Sequence, residues 1–127
     1  MEKGNRMLGR HKILMLLAVF ALAIAACDSY VNEDELVSQG ETVYTENCAS
    51  CHQLDGQGYP EVYPNLTGNP VVTLHDPSPL IQIVKYGRGG MPAFRADLNS
   101  EEIAAVLSYI RNAWDNDAAI VTPKETR

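Results

Sequence analysis

Two cysteines three apart, with a histidine directly behind the second, constrain this 127-residue chain more than any other feature. The stretch is NCASCH, Asn47 to His52, and Cys27 is the one further cysteine. A disulfide between Cys48 and Cys51 would close a very small loop, and the stabilisation a disulfide gives grows with the loop it closes. A redox dithiol needs a β-α-β setting, which the surrounding pattern lacks. Structural zinc needs four ligands, commonly a second Cys or His pair at short spacing. Beyond the first 26 residues the only other histidine is His75, standing alone. C-x-x-C-H is also the attachment signature of c-type haem. Its spacing lets both thiols add to the two vinyl groups on one porphyrin edge while the adjacent histidine projects over the face to bind iron. Cys48 and Cys51 are therefore read as thioether positions for one covalent haem c, and His52 as the proximal iron ligand.

The N-terminal stretch bears on where such chemistry takes place. Lys3, Arg6, Arg10 and Lys12 precede an uncharged apolar block from Ile13 to Ala26, and small residues lead up to Cys27. That is the layout of an export signal. The block has 14 residues, whereas a membrane-spanning helix needs roughly 20. IAAC, ending at Cys27, resembles the cleavage box of bacterial lipoproteins, in which the cysteine becomes the lipidated first residue. Ile24 stands where those proteins usually have leucine, so ordinary cleavage nearby is the alternative. A lipid on Cys27 would anchor the chain to a membrane without spanning it, which places it at the outer face of the bacterial cytoplasmic membrane or in the periplasm.

Cleavage before Cys27 leaves 101 residues, room for one small domain. It removes four basic residues and one acidic, leaving 6 and 15, a formal charge of −9. An acidic exported chain is a poor binder of nucleic acid, whose affinity rests on cations meeting phosphates. The reading divides the chain into a signal at 1–26, Cys27 with a polar tether at 27–33, a domain at 34–117 and a C-terminal tail at 118–127.

The mature part keeps one methionine, Met91, in YGRGGMPAF. A lone methionine is ordinarily a core gap-filler. Here Gly87, Gly89 and Gly90 permit close backbone approach and Pro92 fixes the chain behind it, a loop suited to presenting a thioether to a metal. GRGG lacks the lysine and hydroxyl residue that end a phosphate-binding loop.

CASCH, YPNLTG, GGMP and the closing LNSEEIAAVLSYIRNAW, in that order, resemble a class I cytochrome c over roughly residues 34–116. The resemblance implies an all-α fold around one haem with histidine and methionine as axial ligands, and first and last helices that cross. It assigns to Pro64 the carbonyl that accepts a hydrogen bond from the proximal histidine, and to Leu66 an apolar haem contact. Gly40 and Tyr44 on the first helix, and Val106 and Tyr109 on the last, match the crossing.

Periodicity agrees. Leu36, Val37, Gly40, Val43 and Tyr44 share one face of a helix over 33–47, whose acidic first turn suits the positive end of the helix dipole. A second helix is expected over 79–86, capped by Ser78 and stopped by Gly87, although Ile81, Ile83 and Val84 also fit a strand. The third has Asn99 or Ser100 as cap and an apolar stripe of Ile103, Val106, Leu107, Ile110 and Trp114. Residues 53–77 form a long turn-rich loop, unusual in a compact domain unless functional; wrapping a haem edge supplies the reason.

Iron held by both His52 and Met91 has no open position, so the expected function is one-electron transfer rather than substrate chemistry. The partners are other redox proteins of an electron-transport chain, with the membrane reached through Cys27. The alternative is a cytochrome subunit of a multi-subunit membrane oxidoreductase. A gas-sensing or peroxidase-like site would require Met91 to be displaced. Between Pro77 and Ala96 stand Lys85, Arg88 and Arg95 with no acidic residue, a local basic patch that either steers an acidic partner or neutralises haem propionates.

Overall fold

Asn32 starts the first helix: its side-chain oxygen accepts from the Glu35 amide at 3.3 Å, one of the donors a helix start leaves without a partner. This computed structural model describes residues 31–127; the segment read as a signal and Cys27 lie outside the described residues. Among the described residues there are four helices and no strand: α1, Glu33–Asn47; α2, Ala49–His52; α3, Ser78–Tyr86; and α4, Ser100–Asn112. None of them is long and apolar enough to cross a membrane.

Helix α1 buries Leu36, Gly40 and Tyr44, one residue per turn, and α1 against α4 is the most extensive helix pairing in the domain. The stripe of α4 supplies the partner face, with Ile103, Val106, Leu107 and Ile110 all buried. Asn99, not Ser100, caps α4, in a full capping box with Glu102: Asn99 Oδ1 accepts from the Glu102 amide at 3.0 Å, and Glu102 accepts from the Asn99 amide at 2.8 Å. Residues 78–86 are helical, which removes the strand alternative. Ser78 lies inside α3 rather than capping it. The start is held by Asp76, whose Oδ1 accepts from the Ser78 amide at 2.9 Å; hydrogen bonds from the Ser78 hydroxyl and amide keep the Asp76 carboxyl below its usual range.

Two features depart from the periodic reading. Trp114 does not extend the α4 stripe, because the helix ends at Asn112 and Trp114 adopts φ 59° beyond it. Its indole N–H donates to the Leu54 carbonyl at 3.1 Å, and its ring meets Tyr44 and Tyr109 edge-on at 5.5 and 5.8 Å. Residues 118–127, expected as a tail outside the domain, pack on its core: Val121 and Thr126 are buried. Ser108 Oγ donates to the Val121 carbonyl at 3.1 Å and accepts its amide at 2.9 Å. Lys85 Nζ donates to the Thr126 carbonyl at 2.6 Å.

Arg111 joins these parts. It is 1 % exposed, and it donates to the carbonyls of Val72 (2.7 Å), Leu74 (2.9 Å) and Ala119 (2.8 Å), tying α4 to the long loop and to the C-terminal segment. Burial lowers its pKa, yet a guanidinium remains charged at any physiological pH. Arg111→Met keeps the length of the side chain and strips one buried and two part-buried carbonyls of their donor. The expected loss is about 3 kcal/mol, the upper end for one hydrogen bond to a charged group, since the two part-buried carbonyls can turn to water and the methionine restores only packing. Guanidinium unfolding of the haem-loaded protein checks it; a midpoint unchanged from wild type would show the C-terminal segment to be unimportant for stability.

Candidate functional site

His52 ends α2, the single turn that follows α1 after the break at Cys48. The next residue, Gln53, turns the chain at φ 64°, and the buried Tyr44 hydroxyl holds that turn by donating to the Gln53 carbonyl at 2.6 Å. Burial raises the pKa of this phenol, so it is a fixed donor. The Gly58 amide then donates to the His52 carbonyl at 2.9 Å. Gly58 has φ 63° and lies directly on the carbonyls of Tyr63 and Pro64; a Cβ there would stand 2.6 Å from the Pro64 oxygen. A side chain at this position would push away the carbonyl that meets His52 Nδ1 at 2.9 Å. A carbonyl can only accept, so Nδ1 carries the proton and Nε2 keeps its lone pair. This is the arrangement in which a metal-binding histidine is oriented by its other nitrogen.

The ring belongs to two adjoining cavities of about 70 and 320 Å³. Cys48, His52, Pro64 and Met91 line both; Leu66 lines the first and Cys51 the second. All six residues singled out for haem binding in the sequence therefore meet at one place, drawn from α1's end, α2, the long loop and the turn after α3. Leu66 is set by its amide, which donates to the Gly56 carbonyl at 2.7 Å. Met91 sits on a turn in which its backbone and that of Arg88 exchange hydrogen bonds at 3.1 and 3.2 Å, with Gly89 at φ 61° supplying the reversal. The turn is tied back to α3 where the Phe94 amide donates to the Val84 carbonyl at 3.0 Å.

The donors fit a porphyrin better than a bare metal ion. Both cysteines are free, and burial, helped by neighbouring Cys51, pushes the Cys48 thiol up to about 11, so it stands as a neutral thiol. Among the described residues no three His, Cys, Asp or Glu side chains are grouped to hold an ion. The remaining walls are mostly apolar. Val72, Leu80, Phe94 and Leu98 are among those that the motifs did not single out, and the only signal for them was apolar character in segments whose neighbours local sequence does not specify.

The family described as cytochrome c oxidase, cbb3-type, subunit III matches residues 35–110. The chain is a class I cytochrome c of that family. Cytochrome c-552 of Thermus thermophilus is 32% identical over 120 residues, 83% of this chain and 72% of the relative. The cytochrome c subunit of the quinone alcohol dehydrogenase of Gluconobacter oxydans is 38% identical over 90 residues, 62% of this chain but 19% of the relative. A cbb3-type cytochrome c oxidase subunit of Rhodobacter capsulatus is 37% identical over 82 residues, 58% of this chain and 28% of the relative. The cytochrome thus spans about a fifth of the length of the dehydrogenase subunits it matches. As a c-type cytochrome it is a haem protein that transfers electrons, and its helical, strand-free fold among the described residues agrees.

Proposed function

We propose that this cytochrome holds one haem, bound covalently through Cys48 and Cys51 with His52 and Met91 as axial ligands, and passes single electrons between redox proteins on the exported side of a bacterial membrane. The observation that carries this reading is the Pro64 carbonyl on His52 Nδ1 at 2.9 Å, which leaves Nε2 as a donor in the cavity that Met91 also lines. Bound haem supplies a one-electron iron couple, with a potential higher under methionine than under a second histidine. The chain's own residues do the rest. Pro64 fixes the ring and its tautomer, Leu66 and the other apolar walls keep water from the metal, and the Arg88–Met91 turn fixes the thioether.

Anchoring through a lipid on Cys27 completes the proposal, and it supports a second reading. Several relatives are cytochrome subunits of dehydrogenases or of an oxidase, so this domain is either a free-standing carrier or the cytochrome part of such a complex. Purification from detergent extracts separates the two by showing whether a dehydrogenase or oxidase subunit travels with it. Intact mass and oxidised and reduced visible spectra, on the full chain made in a host that matures c-type haem, test the rest. The expected mass is that of a chain starting at a diacylated Cys27 plus one haem. Cys27→Ser is expected to move the haem protein from the membrane to the soluble fraction with its spectrum unchanged. A wild-type mass lacking acyl chains would refute the anchor and leave haem attachment standing.

A further inference from the structure

Three cations stand close in sequence around Met91, and the fold gives them different tasks. Lys85 reaches the Thr126 carbonyl, and the guanidinium of Arg95 lies over the Tyr86 ring, 5.3 Å from its centre. Arg88 alone of the three lines the cavities, and it lines both. Among the described residues no carboxylate lines either one. Three of the other polar groups there are already held, and Ser50 and Tyr63, on the second cavity, bear hydroxyls without charge. Asn69 donates to the Asn65 carbonyl and accepts the Val71 amide, Asn47 donates to the Val43 carbonyl, and His52 is held by Pro64. An otherwise apolar, acid-free crevice with one uncommitted guanidinium at its rim is complementary to a ligand that is apolar over its faces and anionic at one edge. A porphyrin with carboxylate side chains has that distribution, and a guanidinium is the donor best matched to a carboxylate.

We infer that Arg88 takes a carboxylate of the bound haem, and so is a positioning and potential-setting residue rather than part of a partner-docking patch. The inference rests on the haem reading above. A cation there holds the carboxylate ionised to lower pH. It also disfavours the extra positive charge of ferric iron, so it raises the potential.

The test is the reduction potential of the mature haem protein measured across pH. Wild type must first show covalent haem and the long-wavelength ferric band of methionine ligation; their absence would refute the haem reading itself, and this inference with it. In Arg88→Gln the potential at neutral pH is expected to fall. The pH at which it begins to decline, which reports carboxylate ionisation, should move up by about one unit, the low end of the shift an opposite charge produces because Arg88 is exposed. Arg88→Lys, a point charge without the planar fork, should lie between the two. A Gln variant with the wild-type curve and an intact methionine band would overturn the inference, and a flattened salt dependence of its reaction with a redox partner would then return Arg88 to docking. If Gln disturbs the methionine band, Arg88→Met carries the same test. Loss of the band in both variants would also overturn it, because Arg88 would then be holding the Met91 turn.

Discussion

Met91→Ala is expected to keep the haem attached, lose the long-wavelength ferric band, bind carbon monoxide in the ferrous state and show a lower potential. The proposed attachment residues lie elsewhere, at the end of α1 and in α2, so the proposed covalent links do not depend on the Met91 turn. No other methionine exists beyond Met15 to replace it. The other plausible donors are badly placed: His75 is exposed and lines neither cavity, and Lys85 is engaged with Thr126. Axial ligands set haem potentials over about 0.8 V, so exchanging a thioether for water should lower the potential by a sizeable part of that range. Visible spectroscopy with and without carbon monoxide, and a redox titration, read the result. An unchanged ferric band would remove Met91 from the ligand set while leaving His52 in place.

Gly40→Val is expected to be the most damaging single change away from the haem. Gly40 is buried where α1 meets α4, and a Cβ there would collide with the backbone carbonyl of Ala105 and stand 2.7 Å from Tyr109 Cβ. The obstruction is mostly main chain, which cannot rotate aside, so the helices must separate. Separation loosens Tyr44, which stacks on Tyr109 at 5.3 Å and holds the turn after His52. Overpacking a tight interior costs about 1–3 kcal/mol and occasionally more; we expect the upper end, about 3 kcal/mol. For a domain of this size that lowers the melting temperature by roughly 12–24 °C. Thermal unfolding of the haem-loaded variant followed by circular dichroism measures it, and a drop of only a degree or two would mean that the helix contact is slack.

The sequence carried the chemistry and the local elements. C-x-x-C-H pointed to haem c because the spacing of two thiols and an imidazole is a local signal, independent of how the rest of the chain is folded. The resemblance in YPNLTG and GGMP supplied Pro64, Leu66 and Met91, and these all line the site. Helices α1 and α4 were legible because an apolar residue at each turn, the acidic first turn of α1 and the cap residues before α4 are local signals. Helix α2 was not, since four residues are too few to show a period.

Only the tertiary structure decided what covers each face. The sequence separated 118–127 from the domain because so short a segment shows no periodic face, yet Val121 and Thr126 are buried once α4 offers Ser108 and Arg111 as anchors. Nothing local distinguishes Arg111 from a solvated surface cation. It is buried because three carbonyls from two distant segments converge on it. Lys85, Arg88 and Arg95 read as one basic patch along the chain, and the fold divides them among a carbonyl, the cavity rim and a tyrosine ring. Periodicity and composition report which side chains avoid water. Two of the three carbonyls that satisfy the buried Arg111 lie tens of residues away, and only the packed chain brings them within hydrogen-bonding distance.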